Sequence, residues 1–144
     1  MKYKQGFTLL ELLVSLGIIG ILASIAIPSI LSVVKQRLPT CKEDSCIELD
    51  PKKQRCDRSV RTLAIADLGG SILELRYSIF CKASWARAKA PAGSIIYVQD
   101  AQGRVYGRHV ITHRLQSIPN YSDMGPGEIK ACVRYLDGGI ICTD

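Results

Sequence analysis

The sequence has little of what a catalytic or metal centre requires. It contains only two histidines, His109 and His113, and it has no nucleophile motif such as G-x-S-x-G, no phosphate-binding glycine loop and no metal motif. If the strand predicted around 104–112 continues, these histidines lie about 13 Å apart and cannot share a metal ion, whereas on a helix they could. We expect no enzymatic activity, no cofactor and no metal site.

The chain also lacks a second long apolar run. Almost every residue from 9 to 34 is apolar, and no later window approaches the roughly 18 apolar residues that a spanning helix needs. Lys2 and Lys4 precede the run, which predicts a cytoplasmic N-terminus. We therefore expect a single-pass protein of the inner (cytoplasmic) membrane, in contact with its lipid, with an extracytoplasmic C-terminal domain.

A dense basic stripe is absent as well. The formal net charge is +6, and it falls to +4 if Lys2 and Lys4 are removed. A modest positive balance spread over many positions is typical of a soluble surface. Charge alone therefore gives no support to DNA or an envelope polymer as a partner.

All of the cysteines follow the apolar run. An even number confined to the part that would be translocated predicts disulfides formed in an oxidising compartment. No C-x-x-C pair of the kind common in structural zinc sites occurs. We expect three disulfides, or two with a free pair, and the pairing stays open. The candidates are Cys41, Cys46, Cys56, Cys81, Cys132 and Cys142.

Glu11 is the one charged residue within the apolar run. A carboxylate in a membrane segment is costly unless it is paired or neutralised, so this residue is a functional candidate. A free amine created by cleavage just before Phe7 would supply the pairing charge.

The residues around Glu11, which read G-F-T-L-L-E over 6–11, resemble the class III signal of type IV prepilins and pseudopilins. The resemblance implies that prepilin peptidase cuts between Gly6 and Phe7 and that Phe7 is N-methylated. It also implies that Glu11 pairs with the N-terminal amine of a neighbouring pilin subunit. The implied partners are prepilin peptidase and other pilin subunits.

Two other interpretations of this segment stay open. One is a secretory signal peptide cut between Ala23 and Pro28, although such apolar regions are short and rarely hold a glutamate. The other is an uncleaved anchor without a role in assembly. The residue before Pro39 is disfavoured in a helix, so the helix should end near Arg37. The short stalk this leaves favours a minor pilin over a major subunit.

The predicted fold class is α+β. It comprises a leader (1–6), one long hydrophobic transmembrane or filament-core helix (7–38) and a small exported, cysteine-rich, mainly antiparallel β domain (39–144), either a barrel or a sandwich. Residues 40–58 should form a disulfide-tied loop. Alternation and turn signals predict strands at 61–66, 72–78, 94–99, 104–112, 129–135 and 140–143, with a short helix capped at 57–60 as the alternative to the first.

Residues 73–87, L-E-L-R-Y-S-I-F-C-K-A-S-W-A-R, resemble the secreted bacterial YjfA-type domain, whose function is uncharacterised. The resemblance implies a secreted disulfide domain and supplies no activity. Trp85 and Tyr77 are expected in the core rather than on a ligand platform. Arg76 and Arg87 are expected to pair with Glu74 or an aspartate rather than with a partner.

Cys132 and Cys142 are similar in position to the C-terminal disulfide loop of many pilins. A hairpin turning on Asp137-Gly138 alone would point the two side chains to opposite faces. A three-residue turn over 136–138, with Gly138 left-handed, would bring them together.

These features predict a type IV pilin-like protein, either a minor pilin or a pseudopilin, built into a pilus or secretion pseudopilus. The alternatives are an envelope-anchored ligand-binding module that uses a pilin-type export signal, and a secreted enzyme.

Overall fold

A computed structural model describes residues 8–11, 13–14, 38–112, 119–127 and 129–144. The chain divides into two compact units, Met1–Leu38 and Pro39–Asp144. In the first unit, residues 9–11, 13 and 14 are α-helical. Within the described ranges, no helix has both the length and the apolar character to cross a membrane.

The predicted α+β class is wrong, because the described residues are mostly β and include no long helix. Beyond the short helical stretch near the N-terminus, they contain only two 3-10 helices, Glu43–Cys46 and Cys56–Arg58. The predicted helix over 7–38 and its end near Arg37 fall largely outside the described residues. The α+β class depended on that helix, of which the described residues include only 9–11, 13 and 14.

Two four-stranded antiparallel sheets form the second unit. The first sheet has the order β1-β2-β3-β6, and the second has the order β5-β4-β7-β8. The strands are β1 (Val60–Asp67), β2 (Ile72–Ser78), β3 (Ala83–Ala88), β4 (Ile95–Gln99), β5 (Val105–Val110), β6 (Asn120–Tyr121), β7 (Lys130–Arg134) and β8 (Ile140–Cys142).

Most of these strands lie where the alternation of apolar and polar residues predicts them. The strand predicted at 72–78 coincides with β2. The predicted hairpins over 94–112 and 129–143 are the β4–β5 and β7–β8 pairs. The strand at 61–66 is confirmed as part of β1, and a 3-10 helix ends just before it. The pattern did not predict β3 or β6.

The main core lies between the two sheets, where β2 and β3 pack against β4 and β7. Two sheets packed on a shared core make a sandwich, which decides between the two predicted β architectures. Burial of these aliphatic side chains is the main term that stabilises the unit. The buried members are Leu73, Leu75, Ala86, Ala88, Ala90, Ile96, Val98, Ile111, Ala131 and Val133.

A second, smaller core lies on the other face of β3. There Trp85 and Ala83 pack with Met124 and with cysteines of the 40–58 loop. This loop therefore covers the outer face of the first sheet, and β3 is buried on both sides.

Asp100 fixes the turn between β4 and β5. Its carboxylate accepts hydrogen bonds from the Arg104 backbone N–H (2.9 Å), the Arg104 Nε (2.7 Å) and the Tyr106 hydroxyl (3.0 Å). Desolvation opposes the charged form, but these hydrogen bonds outweigh it and lower the pKa of Asp100 below its usual value. The four-residue turn closes with Gly103 at φ 82°, as the Asp…Gly signal predicts.

Candidate functional site

The first candidate site is the start of the N-terminal helical stretch. There the backbone N–H of each of Thr8 and Glu11 donates a hydrogen bond to the side chain of the other. The Thr8 backbone N–H donates to Glu11 Oε2 (3.1 Å), and the Glu11 N–H donates to Thr8 Oγ1 (3.3 Å). The Thr8 hydroxyl also lies 3.2 Å from Glu11 Oε2. This reciprocal arrangement is a capping box, which satisfies N–H groups that the first turn of a helix leaves unpaired.

The capping box adds a local role for Glu11 that the sequence reasoning missed, although T-x-x-E over 8–11 is its recognised signal. Glu11 is exposed in the single chain, so its carboxylate can also meet a charge from outside. The predicted cleavage and methylation site, Gly6 and Phe7, lies outside the described residues.

The cysteines form three disulfides, and none is free: Cys41–Cys46, Cys56–Cys81 and Cys132–Cys142. The first bond closes a loop around the 3-10 helix Glu43–Cys46. The second ties the 40–58 loop to the turn between β2 and β3. The loop is therefore fixed to the outer face of the first sheet by a covalent bond as well as by packing.

The first two disulfides lie against each other. Cys41 Sγ and Cys56 Sγ are 3.7 Å apart, and the sulfur atoms of Cys41, Cys46, Cys56 and Cys81 all lie within 4.8 Å of one another. We call these four residues the cysteine cluster. Three of them are fully buried, and Cys41 is half-buried. The spacing along the chain gave no sign of this juxtaposition, because it depends on how the loop folds onto β3.

The third disulfide joins strands β7 and β8, where Cys132 and Cys142 are directly opposite. The Tyr135 N–H donates to Gly139 O (2.8 Å), so the turn contains the three residues 136–138. Gly138 has φ 91°. This is the three-residue turn, with a left-handed glycine, that brings the two cysteines to the same face.

The structure describes one of the two histidines. His109 lies exposed on β5, and His113 lies outside the described residues.

A groove on the outer face of the first sheet is the remaining candidate. It has a volume of about 280 Å³ and lies between the 40–58 loop and strands β2, β3 and β6. Lys52 Nζ lies 4.5 Å from the centre of the Tyr121 ring, a cation–π contact. Arg87 and Arg76 also line the groove, and both form ion pairs with Glu74, at 3.0 and 3.3 Å.

Two expectations about residues of β2 and β3 can be compared with the structure. Both arginines pair with Glu74, as predicted. Trp85 is buried in the second core rather than presented as a platform, and Tyr77 is half-buried. The groove offers a ligand the half-exposed Arg87 guanidinium and the Lys52–Tyr121 pair. Its lining also includes one exposed carboxylate, that of Asp57, but the basic side chains outnumber it, so the surface suits an anionic group.

Two family models match the chain. The prokaryotic N-terminal methylation motif matches residues 1–27, the segment that holds Glu11 and its capping threonine. A family described as "Protein of unknown function (DUF2690)" matches residues 44–132. Comparison with curated proteins and with solved structures gave no significant match.

The motif and the disulfide-bonded sandwich define the class: a small β domain behind a type IV pilin-like export signal. A signal of this kind implies processing by a prepilin peptidase and association with the membrane or envelope. The family model for the β domain spans more than half of the chain, and the protein belongs to that family, DUF2690. The YjfA-type resemblance stays a prediction.

Proposed function

We propose that this protein is a minor pilin or pseudopilin, built into a pilus or a secretion pseudopilus with its β domain displayed outside the cell. Its mechanism is assembly rather than catalysis. The observation that carries the proposal is the N-terminal methylation motif over residues 1–27. Glu11 within this motif is a carboxylate in an otherwise apolar run.

Pairing of the Glu11 carboxylate with a positive charge favours assembly. A carboxylate in an apolar environment is costly unless an opposite charge compensates it. Thr8 donates two hydrogen bonds to this carboxylate within one chain. Cleavage before Phe7 creates a positively charged amine, and the amine of one subunit pairs with Glu11 of the next.

The exported domain suits a displayed head. Its three disulfides are stable in the oxidising space outside the cytoplasm. Cys56–Cys81 ties the 40–58 loop to the β2–β3 turn, and Cys132–Cys142 joins the last two strands. Covalent bonds near both ends of the domain suit a domain that is exposed to mechanical load and proteases.

Three variants separate charge pairing from helix capping. In Glu11→Gln, the amide oxygen can still accept the Thr8 hydrogen bonds, but the charge is lost. Glu11→Val removes both properties. Thr8→Val removes the hydroxyl and keeps the charge. Each is expressed as the full chain in its native host, with cleavage followed by mass and assembly followed in sheared filament fractions.

We expect all three variants to be cleaved, Thr8→Val to assemble, and both Glu11 variants to be missing from filaments. If Glu11→Gln assembles like the unaltered chain while Thr8→Val does not, the glutamate acts as a cap and the charge-pairing mechanism is wrong. If neither residue matters, the segment is only an anchor.

The groove favours a second candidate, an envelope-anchored module that binds an anionic polymer. Arg87 contributes a half-exposed guanidinium there. This candidate predicts that Arg87→Gln weakens binding of the displayed domain to purified anionic wall polymer. The matched control Arg134→Gln, on β7 of the other sheet, should leave it unchanged. Equal binding by both variants would exclude the groove.

A further inference from the structure

The cysteine cluster has the dimensions of a metal site as well as of two disulfides. Structural zinc is held by four thiolates at about 2.3 Å in a tetrahedron, which places neighbouring sulfurs about 3.8 Å apart. Cys41 Sγ and Cys56 Sγ, which are not bonded to each other, are already 3.7 Å apart. All four sulfurs fall within 4.8 Å, so opening the two S–S bonds leaves four ligands around one point.

The backbone that carries these ligands is held by contacts that do not involve sulfur. The Cys81 carbonyl accepts from the Glu43 N–H (2.6 Å), and the Cys81 N–H donates to Ser78 Oγ (3.2 Å). The Cys56 N–H donates to the Pro51 carbonyl (2.8 Å). None of these hydrogen bonds involves sulfur, so reducing the disulfides does not break them directly, and they favour a loop position that keeps the thiols close together.

The surroundings also suit a buried thiolate site. Three of the cysteines are fully buried beside Trp85 and Met124. An apolar shell excludes water and competing oxygen ligands, and thiolates select zinc over the hard cations magnesium and calcium.

We propose that the cysteine cluster, in its reduced form, is a tetrathiolate site for a thiophilic divalent cation such as Zn²⁺. The cation then clamps the 40–58 loop to the β2–β3 turn, as the two disulfides do in the oxidised protein. The proposal is independent of the proposed function, since it holds whether or not the chain assembles into a filament.

The two forms interconvert by a balanced reaction. A disulfide oxidant accepts two electrons for each S–S bond that forms in the protein. Two equivalents of oxidant convert the zinc tetrathiolate into Cys41–Cys46 and Cys56–Cys81, take up four protons from solvent to give four small-molecule thiols, and release the Zn²⁺. In the reverse direction, a thiol reductant opens both bonds, and the metal displaces four protons from the thiols.

The test uses the full chain in detergent, reduced with a phosphine under anaerobic conditions and titrated with Co²⁺ as a spectroscopic probe. We expect one tightly bound Co²⁺ per chain, with thiolate-to-cobalt charge-transfer bands and tetrahedral d–d bands, displaced by one equivalent of Zn²⁺. Adding a disulfide oxidant should release the metal as the thiols are consumed.

Two variants locate the site. Cys46→Ser removes one ligand and should weaken binding at least tenfold and change the spectrum. The control Cys132→Ser/Cys142→Ser removes only the hairpin cysteines and should bind like the unaltered chain. The proposal is overturned if the reduced, unaltered chain shows no tetrathiolate spectrum, or if the hairpin variant rather than Cys46→Ser loses the metal.

Discussion

At the scale of single residues, Gly107 lies where three segments of the domain meet. Its N–H donates to Glu48 Oε1 of the 40–58 loop (3.0 Å), and its carbonyl accepts from the Asp123 N–H (3.2 Å). The β4–β5 register shifts at this point, so Gly107 lies in a β-bulge. It has φ 62°, and a Cβ here would lie 2.1 Å from the Asp123 carbonyl oxygen. Only glycine fits this position.

We therefore expect Gly107→Ala to destabilise the domain. The left-handed backbone alone costs roughly 1–3 kcal/mol, and the overlap with the Asp123 carbonyl adds to that cost. Gly127→Ala is the matched control, because its added methyl would meet neighbours at ordinary contact distance, 3.7 Å or more. Urea unfolding followed by tryptophan fluorescence measures both. Equal stability of the two variants would contradict this account of the bulge.

Asp123 provides a prediction about pH. Its burial raises the pKa of its carboxyl group, and the nearby Asp50 and Glu48 raise it further, while His109 and Lys53 partly oppose them. The folded chain therefore binds this proton more tightly than the unfolded chain does. The ionised carboxylate disfavours folding at neutral pH, and the penalty disappears as the pH falls through the raised pKa.

Asp123→Asn should thus be more stable than the unaltered chain at pH 7, with the difference shrinking as the pH is lowered through the Asp123 pKa. Asp144→Asn, which neutralises an exposed carboxylate at the chain end, serves as the control. Thermal melting at a series of pH values gives the comparison. An Asp123→Asn variant that is less stable at pH 7 would show that the carboxylate makes a favourable contact.

At the scale of elements, patterns within short stretches of sequence predicted individual strands and turns. Alternation located β2, and the Asp and Gly positions located the turns at 100–103 and 136–138. The Cys132–Cys142 pairing could be predicted as an option because both cysteines lie on one hairpin. The two pairings in the cysteine cluster could not be predicted, because they depend on how the 40–58 loop folds across β3.

Strand β3 shows why the pattern failed elsewhere. It reads A-S-W-A-R-A, and alanine is depleted in strands. Ala86 and Ala88 face the opposite sheet, and Ala83 and Trp85 face the disulfide loop. Both faces are therefore buried, and no alternation of apolar and polar residues appears. The candidate groove beside β3 could not be predicted from the sequence either, because residues of the 40–58 loop form one of its walls.

The three disulfides should contribute unequally to stability. Loop-closure entropy grows with the length of chain enclosed, which is 25 residues for Cys56–Cys81, 10 for Cys132–Cys142 and 5 for Cys41–Cys46. Paired Cys→Ser variants should lose about 3–4, about 3 and about 2 kcal/mol of unfolding free energy, respectively. Chemical unfolding of the oxidised variants measures these losses. A larger loss for Cys41–Cys46 than for Cys56–Cys81 would contradict the entropic account.

At the scale of the whole molecule, the sandwich and the N-terminal motif are explained by different interactions. The sandwich is stabilised by its two cores and three disulfides, and these features follow from residues 39–144 alone. The motif carries the proposed function, because it combines a cleavage signal with a carboxylate in an apolar run. Family membership assigns the sandwich no activity, so variants in the motif are the experiment that separates a filament subunit from a display anchor.

Mass spectrometry of the mature protein from its native host tests this account most directly. We expect the first residue to be Phe7, with one added methyl group on its amine, which leaves Glu11 four residues from a positive charge. A mature chain that still begins at Met1, or that begins between Ala23 and Pro28, would contradict it.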